Sequence, residues 1–157
     1  MKKLRCIFAV LLACWMSAAC LCAPALAADD SEITQTIVSF EDGSYLVTTI
    51  TVDTQPTTDD RGTVSTKSGT KHHNYYNSSN ELMWTFRVHG RFSYDGSSAK
   101  ATFADYSYDI YHSGWSFGSA SASYSGATAT ASGKLSFYGV STPVSVSLTC
   151  SAKGVLS

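Results

Sequence analysis

The sequence predicts an all-β protein, a single antiparallel β-sandwich of about seven to nine strands with an Ig-like or jelly-roll-like architecture. The first observation is a strict alternation of apolar and polar side chains over residues 82–95, which is typical of an extended strand with one buried face. The second is a series of short runs rich in Val, Ile, Thr and aromatic residues, separated by turn signals and without helical periodicity. A strand with one apolar face needs a second layer to cover it, and this favours a sandwich.

The alternating segment is the centre of the predicted core. Its apolar row consists of Leu82, Trp84, Phe86, Val88, Gly90, Phe92 and Tyr94, and its other row of Met83, Thr85, Arg87, His89, Arg91, Ser93 and Asp95. A strand of this length bends, and Gly90, which interrupts the apolar row, is the expected place for a bulge or bend.

The amino-terminal segment predicts export. Residues 1–27 combine a basic start, a nearly unbroken apolar run over residues 6–22 and a small-x-small cleavage site at residues 25–27, as secretory signal peptides do. The expected mature chain is one secreted domain, residues 28–157. The alternative is a lipoprotein signal acylated at Cys14. No later segment has the roughly 18 apolar residues of a membrane helix, so we expect no transmembrane segment.

Composition narrows the function classes further. The whole chain has 11 basic and 12 acidic residues; loss of Lys2, Lys3 and Arg5 leaves 8 against 12, a net charge of −4. A mildly acidic surface argues against nucleic-acid binding. Four of the five cysteines lie in the signal segment, so Cys150 alone remains and no internal disulfide is expected. No cofactor motif is found.

The strands follow from the positions of the turns. Asp42-Gly43 separates two β-rich runs and is a strong hairpin signal, because both turn residues accept positive φ. The predicted strands are residues 33–41, 44–53, 71–76, 82–95, 99–112, 115–124, 127–138 and 144–152. The polar segment 54–70 is predicted to be a long loop, either functional or disordered.

The pairing of residues 82–95 with residues 99–112 can be predicted residue by residue. A three-residue loop, residues 96–98, places Asp95 opposite Ala99. The register then pairs Trp84 with Ile110, Phe86 with Tyr108 and Val88 with Tyr106 on the buried face, and His89 with Asp105 and Thr85 with Asp109 on the outer face, with Arg87 diagonal to both aspartates. A slip of one residue would bury two unpaired carboxylates in the core, and their desolvation disfavours it.

Three segments, residues 75–86, 90–96 and 148–157, carry a resemblance. In them the chain resembles a group of small secreted β-domain proteins of Gram-positive bacteria whose function is unknown. The resemblance implies a secreted β domain and no particular activity. Members of that group often carry a cysteine in the region that corresponds to residues 99–102, which would pair with the one near the carboxyl terminus. This chain has none there, so a disulfide is not carried over.

Candidate binding residues fall into two groups. The row Arg87, His89 and Arg91 is either an anion site or a charged face that keeps the sheet soluble. Trp115 and Tyr111, beside a Ser-Gly turn, either stack on a sugar ring or a partner surface, or close the open end of the sandwich. The neighbouring His72 and His73 point to opposite faces of a strand, and no metal site is expected. Cys150 lies on the inward row of the last strand.

The function expected from these residues is a secreted, non-enzymatic binding module that acts on a glycan, a cell-wall component or a protein outside the cell. Its expected apparatus is the loop 54–70 together with Trp115 and Tyr111. The alternative is a secreted toxin-like or antimicrobial factor. A third interpretation is a small hydrolase, which a site joining His89 or His112 to an acid would favour.

Overall fold

The computed structural model describes residues 34–53, the backbone of residues 57–58, and residues 63–157, and in them the predicted all-β fold is confirmed. The predicted signal segment, residues 1–27, lies outside the described residues. The strands are β1 (Thr34–Ser39), β2 (Tyr45–Val52), β3 (Thr57–Thr58), β4 (Ser65–Tyr76), β5 (Leu82–Tyr94), β6 (Ala99–Ile110), β7 (Trp115–Ser125), β8 (Thr128–Phe137) and β9 (Val140–Thr149). Within these ranges no helix is long and apolar enough to cross a membrane.

The strands form two antiparallel sheets that pack as a sandwich. The larger sheet has the order β1-β2-β4-β5-β6, with the short β3 beside β4, and the smaller sheet has the order β7-β8-β9. The chain therefore completes one sheet before it crosses to the other at the β6–β7 turn. The strand order, which the sequence leaves open, is that of two meanders, whereas Ig-like and jelly-roll sandwiches contain Greek-key connections.

The predicted β5–β6 register is confirmed from Trp84 to Arg91. The hairpin itself differs from the prediction, because Tyr94 rather than Asp95 lies opposite Ala99. The Asp95 carboxylate accepts the backbone N–H groups of Ser97 and Ser98 at 2.8 and 2.7 Å, and this side-chain turn draws Asp95 into the loop. The loss of Asp95 from the β5 pairing is matched by one extra, unpaired residue on β6, at position 102. The register therefore shifts between Arg91 and Phe92, which is a β-bulge.

Gly90, the predicted site of a bend, lies close to this bulge and has a packing role of its own. A Cβ at Gly90 would lie 2.7 Å from the Phe92 ring and 3.2 Å from the Ala129 Cβ. Since Phe92 and Ala129 are both fully buried, a side chain at Gly90 would push the two sheets apart. The glycine therefore allows the sheets to approach each other.

The core lies between the apolar row of β5 and the smaller sheet. Its buried members include Trp84, Phe86, Val88 and Phe92 from β5, and Ala129, Ala131, Leu135, Val146, Leu148 and Cys150 from the smaller sheet or directly after it. The predicted inward position of Cys150 is confirmed. Tyr108, expected on the buried face, is 43% exposed although its ring lies 4.6 Å from that of Phe117, because β6 is the edge strand of its sheet.

The prediction that residues 54–70 form a loop is wrong for residues 65–70, which belong to β4. β4 starts at Ser65 and continues for 12 residues, paired with β2 on one side and β5 on the other. The small polar residues there have weak strand preference, but Gly69 is needed: a Cβ on it would lie 2.4 Å from Leu156 Cδ1. Residues 54–56 and 59–62 of the predicted loop lie outside the described residues.

Candidate functional site

Four turns meet at one end of the sandwich, which we call the aromatic end. They are the β1–β2, β4–β5, β6–β7 and β8–β9 turns. Consecutive turns of a meander lie at alternate ends, so every second turn lies at this one. A cavity of about 390 Å³ opens there, lined by Asp42, Tyr75, Asn77, Met83, His112, Trp115 and Phe137. The candidate site therefore collects side chains from segments that are far apart in the sequence.

Aromatic rings form the wall of this cavity. The Trp115 ring lies 4.5 Å from the Phe137 ring and meets Tyr75 edge-on at 5.6 Å. Trp115 and Phe137 are direct partners in the β7–β8 register. Tyr75 is the direct partner of Trp84 between β4 and β5, and the two rings stack. Cross-strand pairing thus positions each ring, and the wall is part of the β framework.

Among the described residues of the lining, Asp42 alone has a formal negative charge. Its Oδ1 accepts hydrogen bonds from the Ser44 backbone N–H at 3.0 Å and from the Ser44 hydroxyl at 2.6 Å. Hydrogen bonds from the Ser44 hydroxyl and then from its backbone N–H lower the pKa of the Asp42 carboxyl below its ordinary value of 3.8. In the part of the chain that the structure describes, Oδ2 has no hydrogen-bond partner, so this oxygen remains available to a ligand.

Two further polar groups of the lining are held by their own turns. Asn77 Oδ1 accepts the backbone N–H groups of Ser79 and Glu81 at 3.0 and 2.9 Å, and its Nδ2 donates to Glu81 at 2.7 Å. His112 Nδ1 accepts from the Gly114 N–H at 3.3 Å, which leaves the other ring nitrogen to donate. The cavity thus combines an aromatic surface with polar groups from three turns.

Tyr138 extends the aromatic surface beyond the cavity. It occupies the β8–β9 turn with φ of 43°, followed by Gly139 with φ of 85°, and it is 75% exposed. Its ring packs against Phe137 at 4.7 Å. A Cβ on Gly114 would lie 3.0 Å from both of these rings, so glycine at this position allows the β6–β7 and β8–β9 turns to pack together.

The predicted binding residues Trp115 and Tyr111 lie at this end, whereas the described carboxyl-terminal part of the predicted loop, residues 63–70, leads into β4 from the other end. Trp115 lines the cavity, and Tyr111 is an exposed neighbour whose backbone N–H donates to the Met83 carbonyl. The loop joins β4 at Ser65, which pairs with Tyr94, at the other end of the strand. Twelve residues at about 3.4 Å each place the two ends roughly 35 Å apart. Residues 63–65 of the predicted loop therefore lie far from Trp115 and Tyr111, and residues 54–56 and 59–62 lie outside the described residues.

The predicted anion row lies on the outer face of the larger sheet, and each member already has a partner. Arg87 forms a 2.6 Å ion pair with Asp109, as predicted. The Arg91 guanidinium lies over the Phe103 ring, 5.8 Å from its centroid. Asp105, the expected second partner of Arg87, instead accepts the backbone N–H of Tyr106. The contacts are those of a charged solvent face.

His89, the third member of this row, lies in a chain of hydrogen bonds. Its Nδ1 is 3.0 Å from the Thr70 hydroxyl oxygen, and its Nε2 is 3.0 Å from that of Ser107. Thr70 in turn donates to Asp53 at 2.8 Å. Because the Thr70 proton is directed to Asp53, the tautomer that fits this chain has Nδ1–H donating to Thr70 and Nε2 accepting from the Ser107 hydroxyl.

His72 and His73 do not form a metal site with each other. His72 pairs with Arg87 and His73 with Phe86 across β4 and β5, so they lie on opposite faces, as predicted. In the described ranges, no three side chains of the metal-ligating types come together. The paired acids Asp59 and Asp60 of the predicted loop lie outside the described residues.

Several residues of the site were missed by sequence reasoning. Asp42 was interpreted only as a turn residue, and Asn77 and Phe137 were not among the candidate binding residues. What the three share is a position in a turn or at the end of a strand. Counting alternate turns of a meander would have placed all three at the end that holds Trp115.

In comparisons with known proteins, no protein-family model, no curated protein and no solved structure matches this chain. The interpretation of the site therefore depends on its own geometry.

Proposed function

We propose that this protein is an exported binding module that takes a sugar residue of an extracellular glycan into the cavity at the aromatic end. The observation that carries the proposal is the convergence of Trp115, Tyr75 and Phe137 with three polar side chains around one cavity. Sugar rings present apolar C–H faces that pack on aromatic rings, and hydroxyl groups that need donors and acceptors. Residues 1–27, with their signal-like pattern, support export.

The physical character of the cavity supports a small ligand. Its volume of about 390 Å³ lies in the range of small-molecule sites, roughly 300–1,000 Å³. The cross-strand pairs Tyr75–Trp84 and Trp115–Phe137 hold three rings of the wall region in place. A preformed aromatic wall loses little conformational entropy when a ligand binds, and this favours affinity.

Co-sedimentation tests this function. The chain without residues 1–27 is mixed with insoluble polysaccharides and isolated bacterial cell walls, and the pelleted fraction is measured. We expect the wild-type protein to pellet and Trp115→Ala to lose at least tenfold in affinity, because removal of a central aromatic contact typically costs 2 kcal/mol or more. Tyr124→Ala is the matched control, since Tyr124 is an exposed aromatic near the opposite end of β7.

Trp115→Phe separates binding from folding. Phe keeps a ring against Phe137, so the variant should fold and retain part of the affinity. If the wild-type protein does not pellet with any polysaccharide or wall preparation, or if Trp115→Ala and Tyr124→Ala behave alike, the proposal is wrong. Growth inhibition of bacteria would then test the toxin-like alternative.

A small hydrolase is the second candidate, and the hydrogen-bonded chain from Ser107 through His89 and Thr70 to Asp53 favours it. In that reaction the Ser107 oxygen would attack the carbonyl carbon of an ester while His89 Nε2 takes its proton, and the histidine would return the proton to the departing alkoxide. Water would then hydrolyse the acyl-serine. A fluorophosphonate probe, with Ser107→Ala as control, tests whether Ser107 is a nucleophile.

The binding module is the better supported of the two. The chain through His89 lies on the open outer face of a sheet, with Arg87 and Asp109 beside it, whereas substrate and ligand sites are concave. In the aromatic end, His112 and Asp42 share a cavity but are hydrogen-bonded to their own turns. Glycoside hydrolysis uses two carboxyl groups, and the part of the lining that the structure describes holds one, that of Asp42.

A further inference from the structure

We infer that the sugar which this cavity takes carries a protonated amine, so that its preferred ligands are glycans with unacetylated amino sugars. The inference rests on the proposed function and narrows its ligand class. It is based on the negative charge and the aromatic rings of the lining. A neutral sugar would leave that negative charge without a positive partner.

The charged groups of the aromatic end favour a cation. Asp42 lines the cavity, and Glu81 is hydrogen-bonded to Asn77, which also lines it. Of the described residues that line the cavity, none is lysine or arginine. A phosphate or carboxylate entering here would be repelled by Asp42, without a described cation in the lining to compensate. An ammonium group would instead be attracted.

The aromatic wall adds to this preference. The faces of Trp115, Tyr75 and Phe137 carry negative electrostatic potential, and ammonium groups within about 6 Å of a ring centroid are attracted to it, most strongly over tryptophan. The wall therefore packs against the apolar face of a sugar and also favours a positive charge on it. N-acetylation would remove that charge and enlarge the substituent.

Asp42 is held ready for such a contact before a ligand arrives. Both hydrogen bonds from Ser44 go to Oδ1, so the carboxylate is oriented and Oδ2 can accept from a ligand. The same hydrogen bonds lower the pKa of Asp42 below 3.8, so the carboxyl is ionised at the mildly acidic to neutral pH at which an amino sugar carries its positive charge. Ligand binding therefore requires no change in the protonation of Asp42.

The test compares oligosaccharides of equal length that differ in acetylation. Chitosan and chitin oligosaccharides are titrated at about pH 6 into wild-type protein and into Asp42→Asn. Asn keeps an oxygen for the Ser44 hydrogen bonds and loses the charge. We expect the wild-type protein to prefer the chitosan oligosaccharide by about fivefold, the effect of one partly exposed charge pair. The preference should disappear in Asp42→Asn and weaken with added salt.

Asp95→Asn is the matched control. Asp95 is also exposed and accepts hydrogen bonds in a turn, but it lies at the other end of the sandwich, so the preference should persist in this variant. Trp115→Ala should weaken binding of both oligosaccharides.

The outcomes separate this inference from the proposed function. If the chitin oligosaccharide binds as well as the chitosan one, or if Asp42→Asn keeps the preference, the inference is wrong and the sugar-binding function stands. If neither oligosaccharide binds while polysaccharides still pellet the protein through Trp115, the inference alone again fails. If no glycan of either kind binds, both are wrong.

Discussion

The Tyr75 ring stacks on the Trp84 ring, with centroids 5.5 Å apart and planes inclined by 15°. Trp84 is 6% exposed and belongs to the core, where it also meets Phe117 edge-on. Tyr75 turns its other side to the cavity and to Trp115. The position of the cavity wall is therefore set by the core of the sandwich.

Trp84 gives the first prediction. Its Nε1 is buried and has no hydrogen-bond partner among the described residues, and such an unpaired donor costs about 1–3 kcal/mol in the native state. Trp84→Phe removes this penalty and keeps a ring against Tyr75, so we expect a loss of less than about 1.5 kcal/mol in the free energy of unfolding. Trp84→Ala leaves a cavity and should cost about 3–5 kcal/mol. Urea unfolding measures both; equal losses would contradict this account.

Two glycines in left-handed conformation allow a matched comparison. Gly154 has φ of +80° and Gly96 has φ of +86°, so alanine is strained at both, by about 1–2 kcal/mol. At Gly154 a Cβ would lie 2.5 Å from the Tyr94 ring, whereas at Gly96 no described atom lies within 4 Å. Gly154→Ala should therefore cost a further 1–3 kcal/mol or so. Thermal or urea unfolding measures the loss of stability in Gly154→Ala and Gly96→Ala. Similar losses in the two variants would show that the contact with Tyr94 is not tight.

His73 makes the stability depend on pH. Burial, then the charges of Lys71 and His72, lower the pKa of His73 from 6.5 to about 4. The folded protein thus favours the neutral ring, and the stabilisation is present above pH 6.5 and lost as the pH falls from 6.5 through 4. We expect the wild-type protein to lose on the order of 1 kcal/mol more than His73→Gln between pH 7 and pH 5.

Urea unfolding at the two pH values measures this difference. Asp42 and Asp95, whose pKa values lie below 3.8, lose their contribution only at lower pH. His72→Gln is the comparison variant. The pKa of His72 is also lowered, by burial, then by Arg87 and His89, but the pKa of His73 is lowered further, so His72→Gln should reduce the pH dependence less than His73→Gln does. If the stability of wild type and of His73→Gln depends equally on pH, the assignment of this pH dependence to His73 is wrong.

Cys150 should be inert while the protein is folded. It is 2% exposed, and burial raises the pKa of its thiol, so the reactive thiolate is scarce. We expect a thiol reagent to modify the chain without residues 1–27 at once in denaturant but at least tenfold more slowly in the native state. The double variant Cys150→Ala, Ser147→Cys moves the thiol to an exposed position of β9 and should react rapidly. Rapid modification of native wild type would contradict the buried position.

The sequence predicted the β5–β6 register over Trp84–Arg91 because a slip there would bury charged side chains. It missed the bulge on β6 at position 102 and the turn made by Asp95. Asp95 leaves the pairing on β5 and residue 102 leaves it on β6, so the two deviations offset each other. Buried and exposed side chains therefore still alternate on each side of the bulge. Patterning determines which side of a strand is buried, whereas turn chemistry determines where the extra residue lies.

β4 shows the limit of local preference. Residues 65–70 contain no apolar side chain and were predicted to be loop, but all six pair with β5, and four of them also pair with β3 or β2 on the other side. The packing of Leu156 against Gly69 comes from a residue far along the chain. Strand preference depends on such neighbours, and single-segment reasoning does not contain them.

By itself, the sequence determined that the protein is an all-β sandwich, which strand forms its centre and which side of that strand is buried, because alternating hydrophobicity has only one favourable arrangement in water. It also indicated Trp115 as a candidate contact. Only the tertiary structure decided which turns share an end, and so brought Asp42, Tyr75, Asn77 and Phe137 to Trp115. The reason is physical: a turn sequence specifies its own local geometry, whereas the end of the sandwich at which it lies depends on how many strands the chain has already placed.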